Sequence, residues 1–299
     1  MTLKQGAKHM PAAFLAIDWG TTNRRVYRFD DLGRLDASVR DDRGILAIPA
    51  GGFAAEIAEI RERFGDLPVL CAGMVGSNRG WVETPYVPTT AGIDDVARAV
   101  HWIEPRRTAI VPGLVHASGA RRDVMRGEEV QILGAALAGL TPTTGLLCQP
   151  GTHCKWAWID SGRIDRFVTA ITGELFSLIR THSLLAPQLH GEIAADASFL
   201  EGVADAREDD VAARLFAVRA DAVSGAHRIA HPASYVSGLL IGSDVHRRVA
   251  AGDHIFLLAD PVLGALYEAA ITAFGATSSR IDSNKAFAAG ILRIWSEAA

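Results

Sequence analysis

One short phrase occurs twice in this chain, and it limits the fold more than any other feature. Gly20-Thr21-Thr22-Asn23-Arg24 recurs as Gly151-Thr152-His153-Cys154-Lys155. An apolar run precedes each copy: Phe14-Leu15-Ala16-Ile17 the first, Leu146-Leu147-Cys148 the second. Each copy leads on to a turn, Asp31-Leu32-Gly33-Arg34-Leu35 and Asp160-Ser161-Gly162-Arg163-Ile164. The repeated pattern is strand, glycine loop, strand, turn. A loop built from glycine and small hydroxyl residues bares N–H groups and adds hydroxyl donors, which is what a phosphate requires. A lone Gly-Thr-Thr is ordinary turn chemistry. Two copies in matching context predict two related domains that clamp one polyphosphate.

The rest of the chain is read around this repeat. Strands are expected near 13–18, 24–29, 34–39, 68–72 and 109–114, with helices at 53–64 and 127–140. Thr141-Pro142-Thr143-Thr144-Gly145 breaks the pattern as a domain junction. Strands return at 146–149, 154–159 and 164–169, followed by helices near 173–182, 194–206, 208–219 and 233–250. A strand at 255–259, a helix at 261–274, a strand near 277–281 and a helix from Asn284 close the chain. The pattern is therefore α/β with mixed sheets, an outline that resembles two actin-like, ribonuclease H-like domains, and that resemblance implies an interdomain ATP cleft. Residues 12–140 form the first domain and 145–299 the second, and 1–11 read as a disordered leader.

Composition excludes several function classes. A net charge of −4, with both signs spread along 299 residues, offers no basic face for nucleic acid. The longest apolar runs are too short to cross a bilayer, and the polar first ten residues do not make a secretory signal. Cys71, Cys148 and Cys154, odd in number and scattered, read as reduced thiols of a cytoplasmic protein.

The motifs then point to a family. Ala16-Ile17-Asp18-Trp19-Gly20-Thr21-Thr22-Asn23 resembles the first phosphate loop of 2-dehydro-3-deoxygalactonokinases, and Ala72-Gly73-Met74-Val75-Gly76-Ser77-Asn78 resembles a second block of that family. Val124-Met125-Arg126-Gly127-Glu128-Glu129, Pro150-Gly151-Thr152-His153-Cys154-Lys155-Trp156, Thr172-Gly173-Glu174-Leu175 and Ser237-Gly238-Leu239-Leu240-Ile241-Gly242 continue the match in family order. The resemblance implies ATP-dependent phosphorylation of the 6-hydroxyl of 2-dehydro-3-deoxy-D-galactonate, in D-galactonate breakdown, with Mg²⁺ as cofactor. The chain departs from the family at Ala259-Asp260, where Gly-Ser is usual beside adenosine. Other readings are a kinase of another sugar on the same fold and a nucleotide-binding regulator without catalysis.

Phosphoryl transfer asks for positioning and charge neutralisation more than for covalent chemistry. Asp18, ending the first strand beside the glycine loop, is placed to hold Mg²⁺. Gly20, Thr21, Thr22, Gly151, Thr152 and His153 are the phosphate-binding candidates. Lys155 is one of only four lysines among 30 basic residues and adds a compact point charge at the second loop. A general base must be a carboxylate within reach of the sugar hydroxyl. Asp123, Glu128 and Glu129 are the candidates, with either glutamate preferred because Gly127-Glu128-Glu129 reads as a turn into a helix start. The acid substrate calls for a cation and polar groups, and Ser77, Asn78, Arg79, Trp81 and Arg126 are the candidates for them. Gly238, Gly242 and Asp260 are candidates for adenosine, although glycines four apart on a helix serve close packing equally well. The expected partners are ATP and a small sugar acid, with no nucleic acid and no membrane, and a homodimer is compatible with the chain.

Overall fold

The computed structural model describes residues 12–299, so the leader expected at 1–11 lies outside the described residues. Contacts divide the chain into two compact units. One holds the residues up to Thr143 together with Asp160–Arg166 and Ser283–Ala299; the other holds Thr144–Ile159 and Phe167–Asp282. The break at 141–145 falls where the first unit gives way to the second. The last helix, which the sequence assigns to the C-terminal half, belongs to the first unit.

In chain order the elements begin β1 (Phe14–Trp19), β2 (Arg24–Phe29), β3 (Leu35–Asp41), α1 (Phe53–Phe64), β4 (Val69–Gly73), β5 (Val87–Pro88) and α2 (Ile93–Arg98). Then come β6 (His101–Glu104), β7 (Thr108–Ile110), β8 (Leu114–Ser118), β9 (Arg121–Met125) and α3 (Glu128–Leu137). The middle of the chain forms β10 (Gly145–Gln149), β11 (Cys154–Asp160), β12 (Arg163–Ala170), α4 (Thr172–His182), α5 (Ala197–Asp205) and α6 (Val211–Val223). It closes with α7 (Pro232–His246), β13 (His254–Leu257), α8 (Pro261–Ala273), β14 (Thr277–Arg280) and α9 (Ser283–Ala298).

The two main sheets repeat one topology. The first runs β3-β2-β1-β4-β7-β6 and the second β12-β11-β10-β13-β14. In each, a hairpin carries the glycine loop and its first strand pairs in parallel with the next sheet strand, β1 with β4 and β10 with β13. This bears out the expected duplicated actin-like α/β architecture with mixed sheets. A separate sheet, β5-β8-β9, belongs to the first unit and was not expected from the sequence. Its strands are two to five residues long and expose much of their length, so no sustained alternation marks them.

Strand alternation decides what reaches the site. Leu15, Ile17 and Trp19 of β1 pack into one core with Phe53 and Ile57 of α1. The opposite face carries Phe14, stacked between Phe29 and Trp295 of α9, and Tyr27, stacked on Phe287 of α9. Asp18 has the parity of Phe14 and lies on that α9 face. In the second unit Cys154 and Trp156 face a core built with Phe199, Val203, Ile241 and Tyr267. Lys155, one position out of phase, points to the other side of its sheet.

Candidate active site

The first glycine loop is held from behind. The carbonyls of Gly20, Thr21 and Thr22 accept from the backbone N–H groups of Ile45, Leu46 and Gly44 at 3.0–3.2 Å. A side chain at Gly44 would lie 2.4 Å from the Thr21 carbonyl oxygen, so only glycine permits that contact. With its carbonyls engaged, the loop has N–H groups and threonine hydroxyls left to offer an anion. The second loop is backed in the same way by the start of α4. The Thr152 carbonyl accepts from Glu174 N–H at 2.9 Å, and a Cβ on Gly173 would lie 2.4 Å from the Gly151 oxygen. His153 Nε2 pairs with Glu174 Oε2 at 2.7 Å, while Thr152 and His153 remain exposed.

Three backbones meet beside the first loop. Trp19 and Gly73 are register partners at the ends of β1 and β4. A Cβ on Gly73 would lie 2.8 Å from the Trp19 oxygen, and one on Gly127 would lie 3.0 Å from Gly73 Cα. Both glycines have positive φ, 95° and 105°, a conformation that side chains resist. This contact brings the end of β1 to the start of α3, so Asp18 and Glu128 feel each other's charge. Burial, and then Glu128, push the Asp18 carboxyl up to about 6 against the pull of Arg25 and Arg40.

The two glutamates occupy different environments. Glu129 is fully buried, and both its carboxylate oxygens accept from Gly127 N–H, at 2.9 and 2.8 Å. Burial, then Glu128, raise its carboxyl to about 8. Glu128 is half-buried and accepts from Arg126 N–H through Oε2 at 3.0 Å. Asp123 stands in mid-strand on β9 opposite His116.

These shifts make a pH prediction. A carboxyl whose folded pKa exceeds its unfolded value stabilises the fold at low pH, and that stability is lost as pH rises through the folded pKa. The ligand-free protein should therefore melt at progressively lower temperature from pH 5 to pH 9, with Asp18 acting near 6 and Glu129 near 8. Glu129→Gln should remove the upper part of that decline. Thermal melts across this range check it, and an unchanged upper slope in the variant would contradict the buried carboxyl.

The pocket candidates are mostly occupied by the protein itself. Arg126 donates to Thr84 Oγ1 and, at 2.8 Å, to the Thr84 carbonyl, and its guanidinium lies over Tyr86 at 4.2 Å. Ser77 donates to the Met74 carbonyl at 2.7 Å, Trp81 stacks on Phe53, and Asn78 and Arg79 are exposed. The adenosine candidates need correcting. A Cβ on Gly238 would lie 2.0 Å from the Phe199 oxygen, and one on Gly242 would lie 2.8 Å from Val203 Cα. The flat face of α7 is thus filled by α5 and receives no ring. Asp260 caps α8, accepting from the N–H groups of Val262 and Leu263 at 2.9 and 3.0 Å.

Sequence reasoning found Asp18 but missed the two arginines that continue its row across the neighbouring strands. Asp18 on β1 pairs with Arg25 on β2, which pairs with Arg40 on β3. They line a cavity of about 290 Å³ with the Gly20–Asn23 loop, Tyr27, Gln131 and Asn284. The signal lay in the alternation of β2. Arg24, the cation of the repeated phrase, turns to the α1 face and pairs with Asp41 and Glu56 at 2.9 and 2.8 Å. Lys155 is register partner of Gln149, two before Gly151, as Arg25 is of Asp18, two before Gly20. The structural counterpart of Lys155 is therefore Arg25, because the first loop holds one residue more. Lys155 is itself buried, 4% exposed, and is not a solvated strand residue.

Known proteins resemble this chain over nearly its whole length. A family model described as 2-keto-3-deoxy-galactonokinase matches residues 18–294. The chain is 36% identical to a 2-dehydro-3-deoxygalactonokinase of Escherichia coli strain K12, over 95% of this chain and 98% of that protein. It is 33% identical to a probable 2-dehydro-3-deoxygalactonokinase of Rhizobium meliloti strain 1021, over 93% and 95%. A crystal structure from Sinorhizobium meliloti, described as a candidate enzyme of the same kind, superposes with a TM-score of 0.85. Its sequence identity is 32%, with 93% of this chain and 94% of that one covered.

Proposed function

The chain belongs to the 2-keto-3-deoxy-galactonokinase family, and from that membership we propose that it transfers the γ-phosphoryl group of ATP to the 6-hydroxyl of 2-dehydro-3-deoxy-D-galactonate. The enzyme is a sugar-acid kinase. Among the described residues no helix is long and apolar enough to cross a membrane.

The observation that carries the mechanism is that Asp18 lines the cavity beside the first glycine loop and feels the charge of Glu128 at the start of α3. A carboxyl whose pKa is raised by burial and by the charge of a second carboxylate suits a divalent cation, which relieves that repulsion. Magnesium favours one or two carboxylates completed by phosphate oxygens and water. Asp18 would hold the ion, which supplies charge neutralisation on the transferring phosphoryl group. The N–H groups and hydroxyls of Thr21 and Thr22, with Arg25, orient phosphate oxygens at the first loop. Thr152, His153 and buried Lys155 do so at the second. Glu128 takes the proton from the substrate hydroxyl as it attacks, and Glu129 holds the Gly127 turn in place.

The test is ADP release across a panel of 2-keto-3-deoxy sugar acids and their neutral counterparts. The galacto-configured six-carbon acid should give the highest kcat/KM. Faster turnover of a different sugar would move the chain to another substrate, and ATP binding without ADP release on any of them would make it a regulator.

A further inference from the structure

The acid end of the substrate needs a cation, and the two that the sequence offered do not supply a free one facing a cavity. Arg126 is buried and committed to Thr84 and Tyr86. Arg79 is exposed on the loop after β4 and is absent from the cavity that contains Asp18. Arg40 differs from both. It lines that cavity, and among the described residues its side chain makes no hydrogen bond or ion pair, whereas the neighbouring Arg24, Arg28, Arg34 and Arg43 all have carboxylate partners.

We propose that Arg40 receives the carboxylate of the sugar acid and is the residue that makes this kinase select acids. This assignment rests on the sugar-acid reading above. The spacing supports it: Arg40 lies two strands from Asp18, about 10 Å at roughly 4.8 Å per strand. That separation, shortened by the reach of the guanidinium, matches a six-carbon chain lying from the reacting hydroxyl to the acid group. The same cavity is lined by Tyr27, Gln131 and Asn284, whose hydroxyl and amide groups suit the substrate hydroxyls rather than a phosphate. A guanidinium also offers a carboxylate two parallel N–H donors. Arg25, closer to Asp18 and the counterpart of Lys155, is left for phosphate. An arginine on an edge strand otherwise serves to discourage edge-to-edge pairing, and the experiment separates that role.

The experiment is steady-state kinetics on full-length wild type, Arg40→Met and Arg40→Lys, with the sugar acid and with its neutral primary amide. Losing a charged hydrogen bond should raise KM for the acid about tenfold to a hundredfold in Arg40→Met. Its kcat and KM for ATP should stay within about twofold, and its preference for acid over amide should collapse. Arg40→Lys should recover part of the loss. Unchanged KM for the acid in both variants would overturn the assignment and leave Arg40 an edge-strand residue. A fall in kcat with a raised KM for ATP would overturn it in favour of phosphate. An inactive wild type would instead sink the sugar-acid reading, a result that no variant could mimic.

Discussion

Glu128→Gln should lower kcat by about 10²–10⁴-fold, the usual worth of a positioned general base, and leave KM for ATP nearly unchanged. The expectation comes from the difference between two adjacent carboxylates. Glu129 is fully buried and spends both oxygens on Gly127 N–H. A group so enclosed cannot meet a substrate hydroxyl. Glu128 is half-buried, stands at the start of α3, and shares its field with Asp18 beside the first loop. Glu129→Gln should therefore reduce the melting temperature more than kcat. Asp123→Asn should behave as wild type, because Asp123 lies in the β8–β9 ladder rather than in the Gly127 turn. Kinetics and melts on the three variants decide the matter. Collapse of kcat in Asp123→Asn alone, or a Glu128→Gln enzyme within threefold of wild type, would remove Glu128 from the role.

The second large effect is expected at Lys155. Lys155→Met, which keeps most of the apolar stem, should cut kcat by about 10²–10³-fold. That corresponds to the roughly 2.7–4 kcal/mol lost when one preorganised donor to developing charge is removed. Lys155 is 4% exposed and stands in register with Gln149 at the foot of the second glycine loop, so its charge lies close to a phosphate held by that loop. Lys155→Arg keeps the charge and should retain more activity than Lys155→Met. Melting curves separate loss of fold from loss of catalysis. A folded Lys155→Met enzyme with near-normal kcat would sink the phosphate role.

Much of the active region was legible beforehand, because both glycine loops are local structures. Each is a few residues between two apolar strands, and turn chemistry acts at that range. The alternation of β1 and β2 and of β10 and β11 placed the loops at hairpin tips, where the structure has them. The β5-β8-β9 sheet was not legible, since its strands are short and half-exposed and β5 is held by a partner distant in the chain, although β8 and β9 form a local hairpin. The role of α7 could not be read either. Gly238 and Gly242 have the same spacing whether they face a nucleotide or a helix, and only the position of α5 decides.

The sequence by itself determined the duplicated strand–loop–strand units, the α/β class and the family, since these rest on local pattern and motif order. It also narrowed the general base to three nearby carboxylates. Only the tertiary structure distinguishes their surroundings, because burial and charge come from neighbours far along the chain: Gly73 meeting Gly127, and the charge of Glu128 felt at Asp18. The same holds for the cations. Repetition pointed to Arg24, but cross-strand register gave Arg25 the place equivalent to Lys155 and set Arg40 one strand farther out. A shift of one residue along a strand moves a side chain to the opposite face of the sheet, and pairing across strands, which no single segment encodes, fixes which face that is.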